Sequence, residues 1–211
     1  MRYATLQLLW VAAGLTVGLT NAQAPFDAPY RAFDVATRSI VAESNLCIAA
    51  ADVTGDGYPD VVVGRRGGRP PGLTPGIPGI LVLANEGPRR DAPATLARVA
   101  FYPTQRDPQD LALVDLDGDG DLDIACGAYF LEFNRTGGNV TLLFNRGDGT
   151  FAQPPTYLNV GPRGARCITA GDFDRDGDND LVVAAGATTN LVLLLRNDGR
   201  GGFAAPVSWP V

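Results

Sequence analysis

The sequence predicts an all-β fold built from repeated four-stranded antiparallel units, and two observations lead to this prediction. Gly 26 and Pro 16 together make up nearly a fifth of the 211 residues, and the long stretches of helical hydrophobic period that an all-α fold needs are missing. In addition, a nine-residue pattern rich in aspartate occurs three times, at 52–60, 115–123 and 172–180. The chain is therefore a repeat array with a period of about sixty residues.

Each repeat holds four short apolar segments in the same order. The first segments, CIAAAD, DLALVD and CITAGD, enter the aspartate loops, and DVVVG, DIACG and DLVVAAG leave them. The third segments are GILVLANEG, NVTLLFNRG and NLVLLLRND, and the fourth, which contain aromatic residues, are LARVAFYP, FAQPPTYL and FAAPVSWP. Four strands too short to bury themselves are typical of a propeller blade. We expect three blades, at about 46–103, 110–160 and 167–210.

The aspartate loops predict metal binding. Carboxylates at positions 1, 3, 5 and 9, with a main-chain carbonyl at position 7, supply the oxygen ligands that Ca²⁺ prefers, and glycine at position 6 allows a sharp turn. The candidate ligand residues are Asp52, Thr54, Asp56, Tyr58 and Asp60 in the first loop; Asp115, Asp117, Asp119, Asp121 and Asp123 in the second; and Asp172, Asp174, Asp176, Asp178 and Asp180 in the third. We expect up to three Ca²⁺ ions, and the first site is the weakest because Thr54 replaces a carboxylate.

Position 12 separates these loops from an EF-hand, which begins in the same way. An EF-hand has a bidentate glutamate there and continues into a helix. The three loops instead have Val63, Cys126 and Val183, each within an apolar segment typical of a strand. The pattern therefore predicts strand–loop–strand sites. Asx turns without a metal are the simpler alternative, and the density of carboxylates in the second and third loops argues against it.

Charge and composition exclude several functions. The formal net charge is −6, which three Ca²⁺ ions would balance, so we expect the metal-free protein to be destabilised by repulsion within its loops. The acidity and the lack of a basic stripe weigh against nucleic acid as a partner. The chain has no His and no Lys, which removes the commonest general bases, and no catalytic constellation is visible.

The N-terminus has the layout of a secretory signal peptide. Residues 1–22 combine an early arginine, an apolar stretch and a small-residue end, with cleavage after Ala24 as an alternative. An uncleaved membrane anchor is the less favoured explanation, because the apolar stretch is close to the lower length limit for a span. We expect a secreted, cell-surface or periplasmic protein. Cys47, Cys126 and Cys167 cannot all pair within the chain, and their apolar contexts favour buried thiols.

In its D-x-D-x-D-G-x-x-D loops, its GDGTF segment and its phased strands, the chain from 26 to 211 resembles the FG-GAP or VCBS repeat family. The resemblance implies calcium loops between the first two strands of each blade. It also implies a seven-bladed propeller, of which residues 23–211 supply three blades, preceded by a lone outer strand, YRAFDVAT. Further blades from the full-length protein or another subunit would then complete the ring.

Loops on the face opposite the aspartate loops are the expected place for a protein or glycan ligand. They hold eight arginines that could recognise acidic groups: Arg38, Arg65, Arg66, Arg69, Arg106, Arg135, Arg163 and Arg166. The polarity common to exposed loops is the simpler explanation, and it is favoured. The expected function is an adhesion or ligand-binding module with structural calcium. The alternatives are the propeller part of an extracellular polysaccharide-active enzyme or lectin, and a purely structural spacer.

Overall fold

A computed structural model describes residues 45–67, 77–85, 87, 96–129, 139–161, 164–185 and 191–211. These residues belong to one compact unit, which runs over Asn45–Gly67 and Ile77–Val211. The predicted signal peptide at 1–22 and the predicted lone strand at 30–37 lie outside the described residues. No helix within the described ranges has the length and hydropathy needed to cross a membrane.

The described residues form three four-stranded antiparallel sheets, so the predicted blade architecture is confirmed. Blade 1 consists of β1 (Asn45–Ala51), β2 (Asp60–Arg65), β3 (Gly79–Asn85) and β4 (Leu96–Pro103). Blade 2 consists of β5 (Pro108–Val114), β6 (Asp123–Ala128), β7 (Asn139–Leu143) and β8 (Thr156–Asn159). Blade 3 consists of β9 (Ala165–Gly171), β10 (Asp180–Ala185), β11 (Leu191–Leu195) and β12 (Val207–Pro210). The strand order within each sheet follows the chain.

The blades stack face to face, and β1, β5 and β9, the inner strands, are neighbours. Ile80 of blade 1 packs in one core with Ile124 and Leu143 of blade 2. Leu142, the neighbour of Leu143, points to the other side of the sheet and packs in a second core with Leu181 of blade 3. Successive residues of a strand alternate between the two faces of its sheet, so blade 2 is buried on both. A single blade would leave both apolar faces in water, and the stack is therefore the stable unit.

The outer strands of blades 2 and 3 are shorter than the segments predicted for them. Pro154 and Pro155 interrupt the first of these segments and Pro206 the second, and proline lacks the N–H that a continuous ladder needs. The aromatic residues at the start of both segments instead form isolated bridges, Phe151 to Asn145 and Phe203 to Asn197. Each hairpin therefore closes against the end of its third strand.

The expectation of three buried cysteines is wrong for Cys167. Cys126 is buried and Cys47 half-buried, but Cys167 is exposed. It pairs across the sheet with Ala184, on the face of blade 3 that points away from blade 2, and no described residue covers that face. Burial, reinforced by the Asp110 carboxylate, raises the pKa of the Cys47 thiol to about 12, so this thiol stays protonated at neutral pH.

Candidate metal centres in the aspartate loops

All three aspartate loops join the first strand of a blade to its second strand, as predicted. The residues at position 12, Val63, Cys126 and Val183, lie within β2, β6 and β10. No exiting helix follows any of these loops in the described chain, which separates them from the EF-hand. The loops stand between paired strands, so their ends are held at a fixed separation by the sheet.

In each loop the carboxylate at position 1 accepts hydrogen bonds from main-chain amides of the same loop, and these bonds close the loop around the carboxylate. Asp115 accepts hydrogen bonds from the main-chain N–H groups of Gly118 at 2.8 Å and Gly120 at 3.0 Å. Asp52 and Asp172 accept from the equivalent amides of their own loops. At position 5, Asp119 accepts from the amide of Asp121 at 2.9 Å, and the other two loops repeat this bond. Main-chain donors thus hold the carboxylates at positions 1 and 5 toward the centre of the loop.

The position-9 carboxylate anchors the loop to the sheet. Asp60, Asp123 and Asp180 are all 0% exposed. In the second loop Asp123 accepts from the amide of Leu116 at 2.8 Å and, through its other oxygen, from the amide of Asn145 at 2.8 Å. The first and third loops have the same pair of bonds. Position 9 therefore has a structural role in addition to any contribution to a metal site.

Three asparagines that lie at the end of a third strand or two residues beyond it were not among the predicted site residues. Asn85, Asn145 and Asn197 donate their side-chain amides to the position-8 carbonyls of their own loops, over 3.0, 2.9 and 2.9 Å respectively. Their main-chain N–H groups donate to the position-9 carboxylates. The recurrence of asparagine at this place in every repeat was the signal that could have identified them.

Two positions of the loop have a backbone conformation that favours glycine, and the third loop has another residue at one of them. Position 6 has φ of 88°, 93° and 100° at Gly57, Gly120 and Gly177, a region that suits glycine. Position 4 also has positive φ, but the third loop carries Arg175 there, with φ 67°. A side chain in this region strains the backbone by about 1 kcal/mol.

The second and third loops bring three carboxylates together. One oxygen each from Asp115, Asp117 and Asp123 lie within 4.8 Å of one another. In the third loop the group is Asp172, Asp174 and Asp176, so position 5 takes the place that position 9 has in the second loop. The first loop forms no such group among the described residues, and Thr54 there donates its hydroxyl to Asp52 over 3.5 Å. The ranking of the first site as the weakest stays a prediction.

The second loop has the features that a divalent cation would satisfy. Asp117 Oδ1 is buried and has no hydrogen-bond partner, which is costly for a carboxylate oxygen. Burial and the neighbouring Asp119 and Asp115 carboxylates raise the pKa of Asp117. Burial also raises the pKa of Asp123 to about 6, although the amides of Asn145 and Leu116 oppose the shift. A hard cation would relieve each of these penalties, so the residues fit Ca²⁺.

The third loop is more open and carries a competing cation. Asp172, Asp174 and Asp176 are all exposed. The Arg196 guanidinium lies 3.6 Å from Asp174 and partly neutralises it. In blade 2 the residue equivalent to Arg196 is Phe144, which carries no charge. The Arg196 side chain would have to share Asp174 with a bound metal.

At the opposite end of the blades, part of the predicted arginine face is used internally. Arg65 is buried, stacks 4.8 Å over the Phe101 ring and donates to the carbonyl of Ile77. Arg66 pairs with Asp107 at 3.0 Å, which joins the end of β2 to the connector that precedes β5. The guanidinium groups of Arg65 and Arg66 therefore make contacts within the fold.

Two other arginines of this face are described and four are not. Arg166 is exposed and stacks 4.4 Å over the Tyr129 ring, while Arg106 is half-buried with its own partners. Arg38, Arg69, Arg135 and Arg163 lie outside the described residues. Both Arg65 and Arg166 stack on an aromatic ring at this end, but Arg65 is buried, whereas Arg166 is exposed above the buried Tyr129 ring.

Comparison with known proteins identifies the repeats. A family model described as an FG-GAP-like repeat matches residues 115–183, which span the second and third aspartate loops. A second model, the FG-GAP repeat, matches residues 48–75, which include the first loop. No curated protein matches the chain. The matched ranges contain every residue that we predict to bind a metal.

Proposed function

The chain contains two regions that match FG-GAP repeats, and from this premise we propose that it is a secreted or cell-surface module for adhesion or ligand binding whose aspartate loops hold structural Ca²⁺. The calcium proposal rests on the second loop. There Asp117 Oδ1 is buried and accepts no hydrogen bond, and the carboxylates of Asp115 and Asp123 lie close to that of Asp117. When bound, the ion would supply positive charge to carboxylates that otherwise repel one another. Its effect is on stability, because the loops lie between paired strands.

Calcium binding can be tested by calorimetry on the chain from residue 23. We expect titration of metal-free protein to show heat of binding, and we expect the melting temperature to rise between chelator and millimolar calcium, since the ion binds only the folded state. A double variant, Asp119→Asn with Asp176→Asn, should lose most of both responses. An unchanged melting temperature and no heat in the wild type would refute the proposal.

The ligand face is proposed to lie at the end of the blades opposite the aspartate loops. The support is the exposed Arg166 on Tyr129, in a region where Arg66 and Asp107 fix the connectors. A guanidinium on an aromatic ring suits a carboxylate or sulfate group of an acidic glycan or protein. We propose binding here and no catalysis.

A glycan array of neutral, carboxylated and sulfated sugars tests this face. Arg166→Ala should weaken binding to the acidic probes, while Arg146→Ala, which removes an exposed arginine at the aspartate-loop end, should leave it unchanged. Equal binding of the acidic probes by the two variants would refute the proposed location of the ligand face. No binding by the wild type would favour a spacer, and degradation of a polysaccharide by the full-length protein would favour an enzyme.

Further blades are the proposed partner of blade 3. Trp209 is 48% exposed and Phe173 is 51% exposed on the face that points away from blade 2. The residues at the same places in blade 2, Leu158 and Leu116, pack in the core shared with blade 3. Another blade of this kind, from the full-length protein or another subunit, would bury the exposed aromatic residues in the same way.

A further inference from the structure

The aspartate loops of neighbouring blades are connected by hydrogen bonds. Asn197 of blade 3 donates its side-chain amide not only to its own loop but also to the carbonyl of Leu116, at position 2 of the second loop, over 2.8 Å. Asn145 of blade 2 makes the same bond, also 2.8 Å, to the carbonyl of Val53 in the first loop. Each asparagine thus spans two loops, and both are only 6% exposed.

The position-2 peptide is held on both sides. The N–H of Leu116 donates to Asp123 of its own loop, and its carbonyl accepts from Asn197 and from the amide of Gly201, both in blade 3. The Leu116 side chain is 1% exposed, in the core between the two blades. Movement of this loop would therefore break contacts with the following blade as well as its own.

These bonds form one continuous run through the three loops. The carbonyl of Val53 accepts from the side chain of Asn145, whose main-chain N–H donates to Asp123. Asp123 accepts from Leu116, whose carbonyl accepts from Asn197, and the main-chain N–H of Asn197 donates to Asp180 in the third loop. Every hydrogen bond in this run is buried, and a buried donor or acceptor that loses its partner is costly.

We propose that this run couples each aspartate loop to the blade that follows it, so that Asn145 and Asn197 are positioning residues for the loop of the preceding blade. The calcium part of the inference rests on the proposed function, whereas the coupling itself does not. Calcium bound in one loop would then strengthen the junction with the next blade, and loss of the next blade's asparagine would weaken calcium binding in the loop before it.

Hydrogen exchange of the metal-free protein, read by mass spectrometry over peptides of each loop, tests the coupling. Asn197→Ser should speed exchange in the second and third loops and leave the first unchanged. Asn145→Ser should speed exchange in the first and second loops only. Asn85→Ser, whose described side-chain bonds stay within blade 1, should affect the first loop alone. Effects of Asn145→Ser and Asn197→Ser confined to the loop of the same blade would overturn the proposal.

A milder variant keeps the test decisive if the buried asparagines prove essential for folding. The side chain of Asn179, in the third loop, donates to the carbonyl of Asp115 in the second loop over 3.1 Å. Its own main-chain carbonyl still accepts from Asn197 after substitution. Asn179→Ala should therefore speed exchange in the second loop, by about threefold for one lost bond of modest strength. Unchanged exchange there would count against coupling.

Calcium titration separates the coupling from the proposed function. In a background of Asp56→Asn and Asp176→Asn, binding reports mainly the second loop. There Asn197→Ser should weaken binding by roughly three- to tenfold. Asn159→Ser replaces an asparagine that caps a turn at the end of β8; it is the matched control and should leave the calcium affinity unchanged.

An unchanged affinity in Asn197→Ser would overturn the calcium part of the inference. The expected exchange pattern in a protein that binds no calcium would support the coupling and refute the calcium function.

Discussion

Asp117 and Asp123 belong to the same loop, but they act differently. Asp117 Oδ1 is buried without a partner, whereas both oxygens of Asp123 accept main-chain hydrogen bonds. The first carboxylate carries a desolvation penalty that a bound cation would relieve, and the second stabilises the loop whether or not a cation is present. Substitutions at the two positions should therefore have opposite effects on the metal-free protein.

We expect Asp117→Asn to stabilise the metal-free protein slightly, by less than about 1 kcal/mol after solvent screening. It should also reduce the gain in stability on adding calcium. Asp123→Ala should lower the free energy of unfolding by about 2–4 kcal/mol in chelator, because two buried N–H groups lose their acceptor. Urea unfolding with and without chelator measures both effects. Equal destabilisation by the two variants would contradict the assignment of roles.

Arg175 is the one described residue other than glycine with positive φ, and it stands where the other two loops have glycine. Arg175→Gly should raise the free energy of unfolding by about 0.5–1 kcal/mol in excess calcium, because the strain is removed at a small cost in unfolded-state entropy. Arg175→Asn, which tolerates the same backbone conformation, controls for the lost charge. A fall in melting temperature for both variants would show that the charge of Arg175 outweighs its strain.

At the level of elements, Tyr102 fastens the last strand of blade 1 to blade 2. Its ring meets that of Phe151 edge-on, with centroids 5.4 Å apart, and its hydroxyl accepts the main-chain N–H of Phe151 over 3.1 Å. Tyr102→Phe leaves that buried N–H without an acceptor and should cost about 1–2 kcal/mol. Tyr157→Phe, on the half-buried outer strand of blade 2, should cost much less. Thermal unfolding of both variants gives the comparison.

The strands and loops were predictable because they recur in phase. Three copies of one pattern make each segment visible, and the burial of Ile124 and Leu181 follows from their places in the second strands. The role of Asn145 was not predictable, because it depends on the meeting of one strand end with the loop of another blade. The exposure of Cys167 was not predictable either, since its neighbours resemble those of the half-buried Cys47, which occupies the same place in blade 1.

For the whole molecule, we expect association to occur through the exposed face of blade 3. Trp209 lies on this face, and Trp10, the other of the two tryptophans, falls within the predicted signal peptide. Fluorescence of the chain from residue 23 therefore reports this surface alone. We expect emission to shift to shorter wavelength as protein concentration rises, because association would bury the indole.

Trp209→Arg should weaken that association in sedimentation velocity experiments, because burial of an unpaired charge is unfavourable. Arg200→Ala, an exposed substitution in the β11–β12 turn, is the control and should leave the sedimentation pattern unchanged. A monomer at every concentration, with constant Trp209 emission, would contradict the proposal that this surface binds a blade of another subunit.

The acceptors between blades, the carbonyls of Val53 and Leu116, belong to the main chain, while each donor is an asparagine of the following repeat. The acceptor is therefore present whichever side chain occupies position 2, and it is a valine in the first loop and a leucine in the second. A duplicated or exchanged repeat would carry its own donor and present its own acceptor. This hydrogen bond between blades can therefore form after a change at position 2, whereas the apolar packing between the same blades depends on the side chains on both sides.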